Sequence, residues 1–68
     1  MDIRVLRYFL TVAREESFSR AADALYLSQP TLSRQIREME EELGVQLLVR
    51  TNRNVRLTQE GQRLRRRR

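Results

Sequence analysis

This chain has no cysteine and no histidine. Their absence excludes disulfides and thiol nucleophiles and removes the usual zinc-ligand sets. Without histidine there is no imidazole for proton transfer near neutral pH. Lysine is missing too, so all 14 basic residues are arginine. Arginine is the better bidentate ligand for guanine edges and phosphates, although a GC-rich genome would leave the same bias. No apolar run approaches the ~20 residues needed to span a bilayer. Asp2, Arg4 and Arg7 interrupt the apolar N-terminus, which does not suit a signal peptide. There is no nucleophile–base pair and no glycine-rich phosphate loop, so an enzyme is not expected and no cofactor or metal is implied. A reducing compartment fits these absences, and a membrane partner does not.

What is present is a small charged domain. A chain of 68 residues buries only ~60% of its unfolded surface, so its core must be economical. The net charge is +5, which suggests a polyanionic partner. Residues 1–62, however, hold nine arginines and nine acids and are neutral, and the whole excess lies in Arg63, Arg65, Arg66, Arg67 and Arg68. Placement is therefore more informative than the total. Arg50, Arg53 and Arg56 come without an acid among them, while Glu38, Glu40, Glu41 and Glu42 crowd together.

Apolar spacing and capping residues predict a mainly α fold. The first helix covers 2–14, with Asp2 as cap and Leu6, Phe9, Leu10 and Ala13 as the buried stripe, widened by Ile3, Val5 and Val12. Arg14, Glu15 and Glu16 read as a loop. Ser17 caps a second helix running to about Leu25, where Ala21 and Ala22 let another helix cross closely. Tyr26 and Leu27 form the turn. Ser28 caps a third helix, and Pro30 falls in its first turn, where a missing N–H costs nothing. Ile36, Met39 and Leu43 lie within about 40° of Leu32 around that helix, and Gly44 ends it. Leu47–Val49 and Val55–Leu57 read as a hairpin with Arg53 at its tip and Arg50 and Arg56 on its arms. Thr58 can cap a fourth helix, which Gly61 weakens by up to ~1 kcal/mol relative to alanine.

The outward face of the third helix carries the chemistry. Arg34 can bond a guanine edge bidentately, Gln29 can pair with adenine or reach a phosphate, and Pro30 and the Cβ of Ser33 can touch a thymine methyl. Ser28 and Thr31 sit where free N–H groups and the helix dipole attract a phosphate. Arg37 stands on the same side, as a phosphate contact or as the i, i+4 partner of Glu41; Arg34 has the same alternative in Glu38. Arg53, on a turn, can enter a narrow minor groove, or it can be an ordinary solvated side chain. The four glutamates read as a solvated helix end facing away from DNA. Taken as pattern alone, a generic three-helix bundle competes with a DNA reader, as does a module that binds polyanions through its arginine tail.

The stretches SFSRAA, SQPTLSRQI, MEEELG, LLVR and RLTQEG, together with Leu6 and Phe9, closely resemble the N-terminal domain of LysR-type transcriptional regulators, across essentially the whole chain. The resemblance implies a winged helix–turn–helix over 1–58: a motif at about 18–37, a recognition helix at 29–43 in the major groove of double-stranded DNA, and a wing at about 46–57. The segment 59–68 would begin a linker helix that pairs two subunits in a homo-dimer. By match to the motif, Gln29, Pro30, Ser33 and Arg34 would face bases, Thr31 and Arg50 the backbone, and Arg53 the minor groove. Leu48 stands where the family usually has phenylalanine. The chain stops where the dimer helix should continue, so the effector-responsive half is expected to lie outside it.

Overall fold

The computed structural model describes residues 2–51 and 54–67. Three helices form the body: α1 (Ile3–Glu15), α2 (Phe18–Leu25) and α3 (Gln29–Leu43). Two short antiparallel strands, β1 (Leu48–Arg50) and β2 (Val55–Leu57), follow, and α4 (Gln59–Arg67) leaves the hairpin. Leu48 pairs with Leu57, Val49 with Arg56 and Arg50 with Val55. This is a winged helix–turn–helix: a three-helix core, a two-stranded wing and the start of a further helix.

Each helix begins on a side chain that accepts a first-turn N–H, which would otherwise lack a partner. Asp2 accepts from Arg4 at 2.9 Å, Ser17 from Arg20 at 3.1 Å, Ser28 from Thr31 at 3.2 Å and Thr58 from Gly61 at 3.0 Å. The Arg4 guanidinium also donates to the Asp2 carboxylate, and these bonds hold that carboxyl below its ordinary range. The three body helices end on left-handed residues, Glu16 (φ 55°), Tyr26 (φ 58°) and Gly44 (φ 72°). At Tyr26 the closing bonds run from Tyr26 to Asp23 and from Leu27 to Ala22, a Schellman turn. It swings the chain from α2 into α3 within two residues of the Ser28 cap.

The core gathers Phe9 and Val12 of α1, Ala21 and Ala22 of α2, Leu32 and Ile36 of α3, and Leu47, Leu48 and Val55 of the hairpin. Phe9, Leu32, Ile36, Leu47 and Val12 are its largest fully enclosed side chains. Ala21 and Ala22 are buried where α2 meets its neighbours, the place for small side chains.

Several sequence expectations need correction. The buried residues of α1 are Val5, Phe9, Thr11 and Val12, with Leu6 and Leu10 only half-buried and Ile3 79% exposed. The stripe is therefore rotated from the one anticipated. The enclosed Thr11 hydroxyl is satisfied by donating to the Arg7 carbonyl at 2.9 Å. Leu43 is 41% exposed, because α3 outruns the body it packs on. Glu15 belongs to α1, and the Glu16 carbonyl accepts from Val55 N–H at 3.1 Å, so the supposed loop anchors the wing.

Gly61 has a second role besides weakening α4. A Cβ there would collide with the Leu47 carbonyl and come within 3.0 Å of the Leu57 side chain. Its bare backbone lets α4 start hard against the hairpin.

Candidate nucleic-acid interface

Ser28 holds the amino end of α3 open. Its hydroxyl donates to Thr31 Oγ1 at 2.8 Å while accepting the Thr31 N–H, which leaves the Thr31 hydroxyl proton for an outside acceptor. Gln29, Pro30, Arg34 and Arg37 are exposed, and Thr31 and Ser33 are half-buried. They form one outward row because their opposite numbers, Leu32, Ile36 and Met39, are buried. Neither Arg34 nor Arg37 forms an ion pair with any described residue. The i, i+4 pairs with Glu38 and Glu41 that the spacing allowed are not formed. Both guanidinium forks are therefore left to solvent or to a ligand.

Arg50 lies at the end of β1, beside this row. Its guanidinium carbon sits 4.1 Å from the Phe18 ring centroid, and its Nη2 donates to the Ser33 hydroxyl. Ser33 and Arg50, assigned separately from sequence to base and backbone contact, are thus hydrogen-bonded to each other. Ser33 keeps its hydroxyl proton as a donor, and Arg50 keeps further N–H groups. A groove of about 340 Å³ runs between α3 and the hairpin, with Ser33, Arg37 and Arg50 among its lining residues. At the turn, Thr51 N–H donates to the Asn54 carbonyl at 2.8 Å and Asn54 N–H to Thr51 Oγ1 at 3.0 Å. Arg53 lies outside the described residues.

Two residues of this region escaped the sequence reading. Phe18 looked like plain core, yet its ring is the platform for Arg50. Glu40 was grouped with the solvated glutamates, yet its Oε2 accepts the N–H groups of Leu47 at 2.7 Å and Leu48 at 3.2 Å. Glu40 is half-buried, and its position next to Met39 on the helix was the one available signal. The bond fixes the root of β1 to the last turns of α3, and so fixes the hairpin relative to the outward row. Among the described residues no group of three or more acids could hold a metal ion, and no helix is long and apolar enough to cross a membrane.

A capped helix with free guanidinium forks, supported by a second helix and flanked by a hairpin, defines a helix–turn–helix domain of the DNA-binding class. Residues 3–62 match the model of the bacterial regulatory helix-turn-helix proteins of the lysR family, and the chain belongs to that family. Over 61 residues it is 57% identical to the HTH-type transcriptional regulator BenM of Acinetobacter baylyi, a match spanning 90% of this chain and 20% of BenM. It is 56% identical over 61 residues, with the same coverage of 90% and 20%, to the DNA-binding transcriptional dual regulator OxyR of Escherichia coli. Among solved structures, the BenM DNA-binding domain in complex with catB site 1 DNA superposes with a TM-score of 0.94 at 52% identity, covering 98% of this chain and 74% of that one. The CbnR DNA-binding domain in complex with DNA gives a TM-score of 0.87 at 40% identity, over 97% of this chain and 80% of that one. The chain thus spans about a fifth of the length of these two regulators.

Proposed function

We propose that this domain reads a specific sequence in double-stranded DNA as part of a bacterial transcription regulator acting in the cytoplasm. In this reading α3 enters the major groove. Arg34 bonds a guanine edge, Gln29 an adenine or a phosphate, and Pro30 and Ser33 contact thymine methyls. Ser28, Thr31, Arg37 and Arg50 hold the phosphates on either side and so set the register of α3. Arg53 enters the adjacent minor groove. The observation that carries the reading is the unpaired state of Arg34 and Arg37 on the one face of α3 that the core leaves open. A groove-binding helix needs such forks free to meet base edges and phosphates.

The relatives are far longer than this chain, and in the full regulator we place a homo-dimer formed through the continuation of α4, with a small-molecule effector bound by the remaining part. Two linked half-site readers raise effective concentration, so the domain alone binds weakly. The experiment is selection from a random duplex library with a forced dimer, followed by Arg34→Ala on the selected site. Arg34→Ala should cost ~1–3 kcal/mol and relax preference at one base pair. Equal affinity of the unmodified protein for selected and scrambled duplexes would sink sequence-specific reading.

A further inference from the structure

Arg7, Arg14 and Arg65 line a single groove of about 480 Å³ between α1 and α4, together with Leu10 and Thr11. Arg7 and Arg14 lie two helical turns apart and share a face of α1. No acid lines the groove. The guanidinium groups of Arg7 and Arg65 make no hydrogen bond or ion pair with any described residue. Among the described residues the Arg14 guanidinium meets only Glu15, at 3.3 Å on the exposed rim, and Glu15 also lies 3.8 Å from Arg20. Exposed pairs of that kind hold a side chain weakly. Converging like charges raise the energy of the folded state unless an anion neutralises them. The groove shares no lining residue with the one between α3 and the hairpin. Arg63, Arg66 and Arg67 continue the charge along α4.

We propose that the α1–α4 groove is a second phosphate-binding site, which takes the sugar–phosphate backbone of a duplex segment other than the one under α3. The proposal rests on the DNA-binding reading of α3 and extends it. Guanidinium forks match phosphate oxygens bidentately. Arg7 and Arg14 are separated by a rise of about 10.5 Å along α1, and each DNA strand carries a charge every ~3.4 Å of axis, so a row of phosphates spans both. The body measures 25 × 25 × 19 Å, so a duplex seated on one face leaves another open. The second segment is then the flank of the same molecule, bent back, or a separate duplex. A duplex cut to one half-site abolishes the first and keeps the second.

The test is the salt dependence and stoichiometry of duplex binding by this 68-residue chain, compared with Arg7→Gln/Arg14→Gln/Arg65→Gln and, separately, with Arg34→Ala. The three groove positions are exposed, and circular dichroism is the check that the variant folds. The expected result is a log–log salt slope flatter by about 2–3 in the groove variant, with loss of the second duplex equivalent and retention of the first. Arg34→Ala should weaken the first equivalent and leave the second. An unchanged slope and a single duplex equivalent, with Arg34-dependent binding intact, overturn the groove alone. Absence of duplex binding in every form overturns the α3 reading as well. If the groove variant loses affinity for poly-glutamate but not for duplex, the occupant is an acidic protein surface and the proposal fails.

Discussion

The Arg50 guanidinium stacks on the Phe18 ring, 4.1 Å from its centroid, and so joins the end of β1 to the first turn of α2. Its bond to Ser33 ties the same group to α3. One side chain therefore locks three elements at the rim of the outward row. A stacked cation at an exposed site is worth ~0.5–1 kcal/mol, which is small for folding but enough to select one rotamer.

Arg50→Lys keeps the charge but loses the planar fork. Duplex affinity should fall by about tenfold while thermal stability changes by less than ~1 kcal/mol. Fluorescence anisotropy and thermal unfolding measured together check this. Unchanged affinity would mean that Arg50 acts as a bare charge.

Glu40→Ala should be among the more damaging changes outside the apolar core. It leaves the Leu47 and Leu48 amides without their acceptor, at a cost of ~1–3 kcal/mol. Glu40→Gln, which keeps one acceptor oxygen, should cost less. Urea denaturation gives the order of the two variants, and faster hydrogen exchange at Leu47 and Leu48 locates the effect.

Gly61→Ala sets two principles against each other. Helix propensity favours alanine by ~0.8–1 kcal/mol. The collision with the Leu47 carbonyl opposes it, and that atom is main chain, so relief requires α4 to move. The expected result is a net loss of stability. A higher melting temperature would show that α4 tolerates the shift.

Tyr26 is 96% exposed and adopts φ 58°. A bulky side chain gains nothing from packing there and bears the left-handed penalty of ~1–2 kcal/mol. Tyr26→Gly should stabilise the domain by about 0.5–1 kcal/mol once the greater freedom of the unfolded glycine is deducted. Chemical denaturation checks the sign, and a destabilised variant would mean that the ring has a partner in solution.

What was legible in the sequence was local. The caps Asp2, Ser17, Ser28 and Thr58 and the stop at Gly44 act within a few residues, so their identity announces their role. The α3 row was legible because period 3.6 fixes which side chains oppose Leu32 and Ile36. The contacts that hold the site together were not. Arg50 on Phe18, Glu40 on the β1 amides, and Glu16 on Val55 join residues that only the finished fold brings near. The misjudged Ile3 and Leu43 share one reason: both sit at helix ends, which overhang a body too small to cover them. Spacing permitted Arg37–Glu41, but an exposed pair gains too little to fix two long side chains.

The bond from Val55 N–H to the Glu16 carbonyl roots β2 in the end of α1, while Glu40 roots β1 in α3. Both legs of the hairpin are thus fastened to the helical body rather than to each other alone. A reading head mounted this way behaves as a caliper with a locked jaw. If α3 and the wing both contact the duplex, as proposed, these two bonds set the span between their contacts. Inserting one base pair between those two points adds a step of ~3.4 Å and a rotation that the hairpin roots cannot follow. On that proposed reading, spacing along the duplex is selected even at positions where no side chain meets a base.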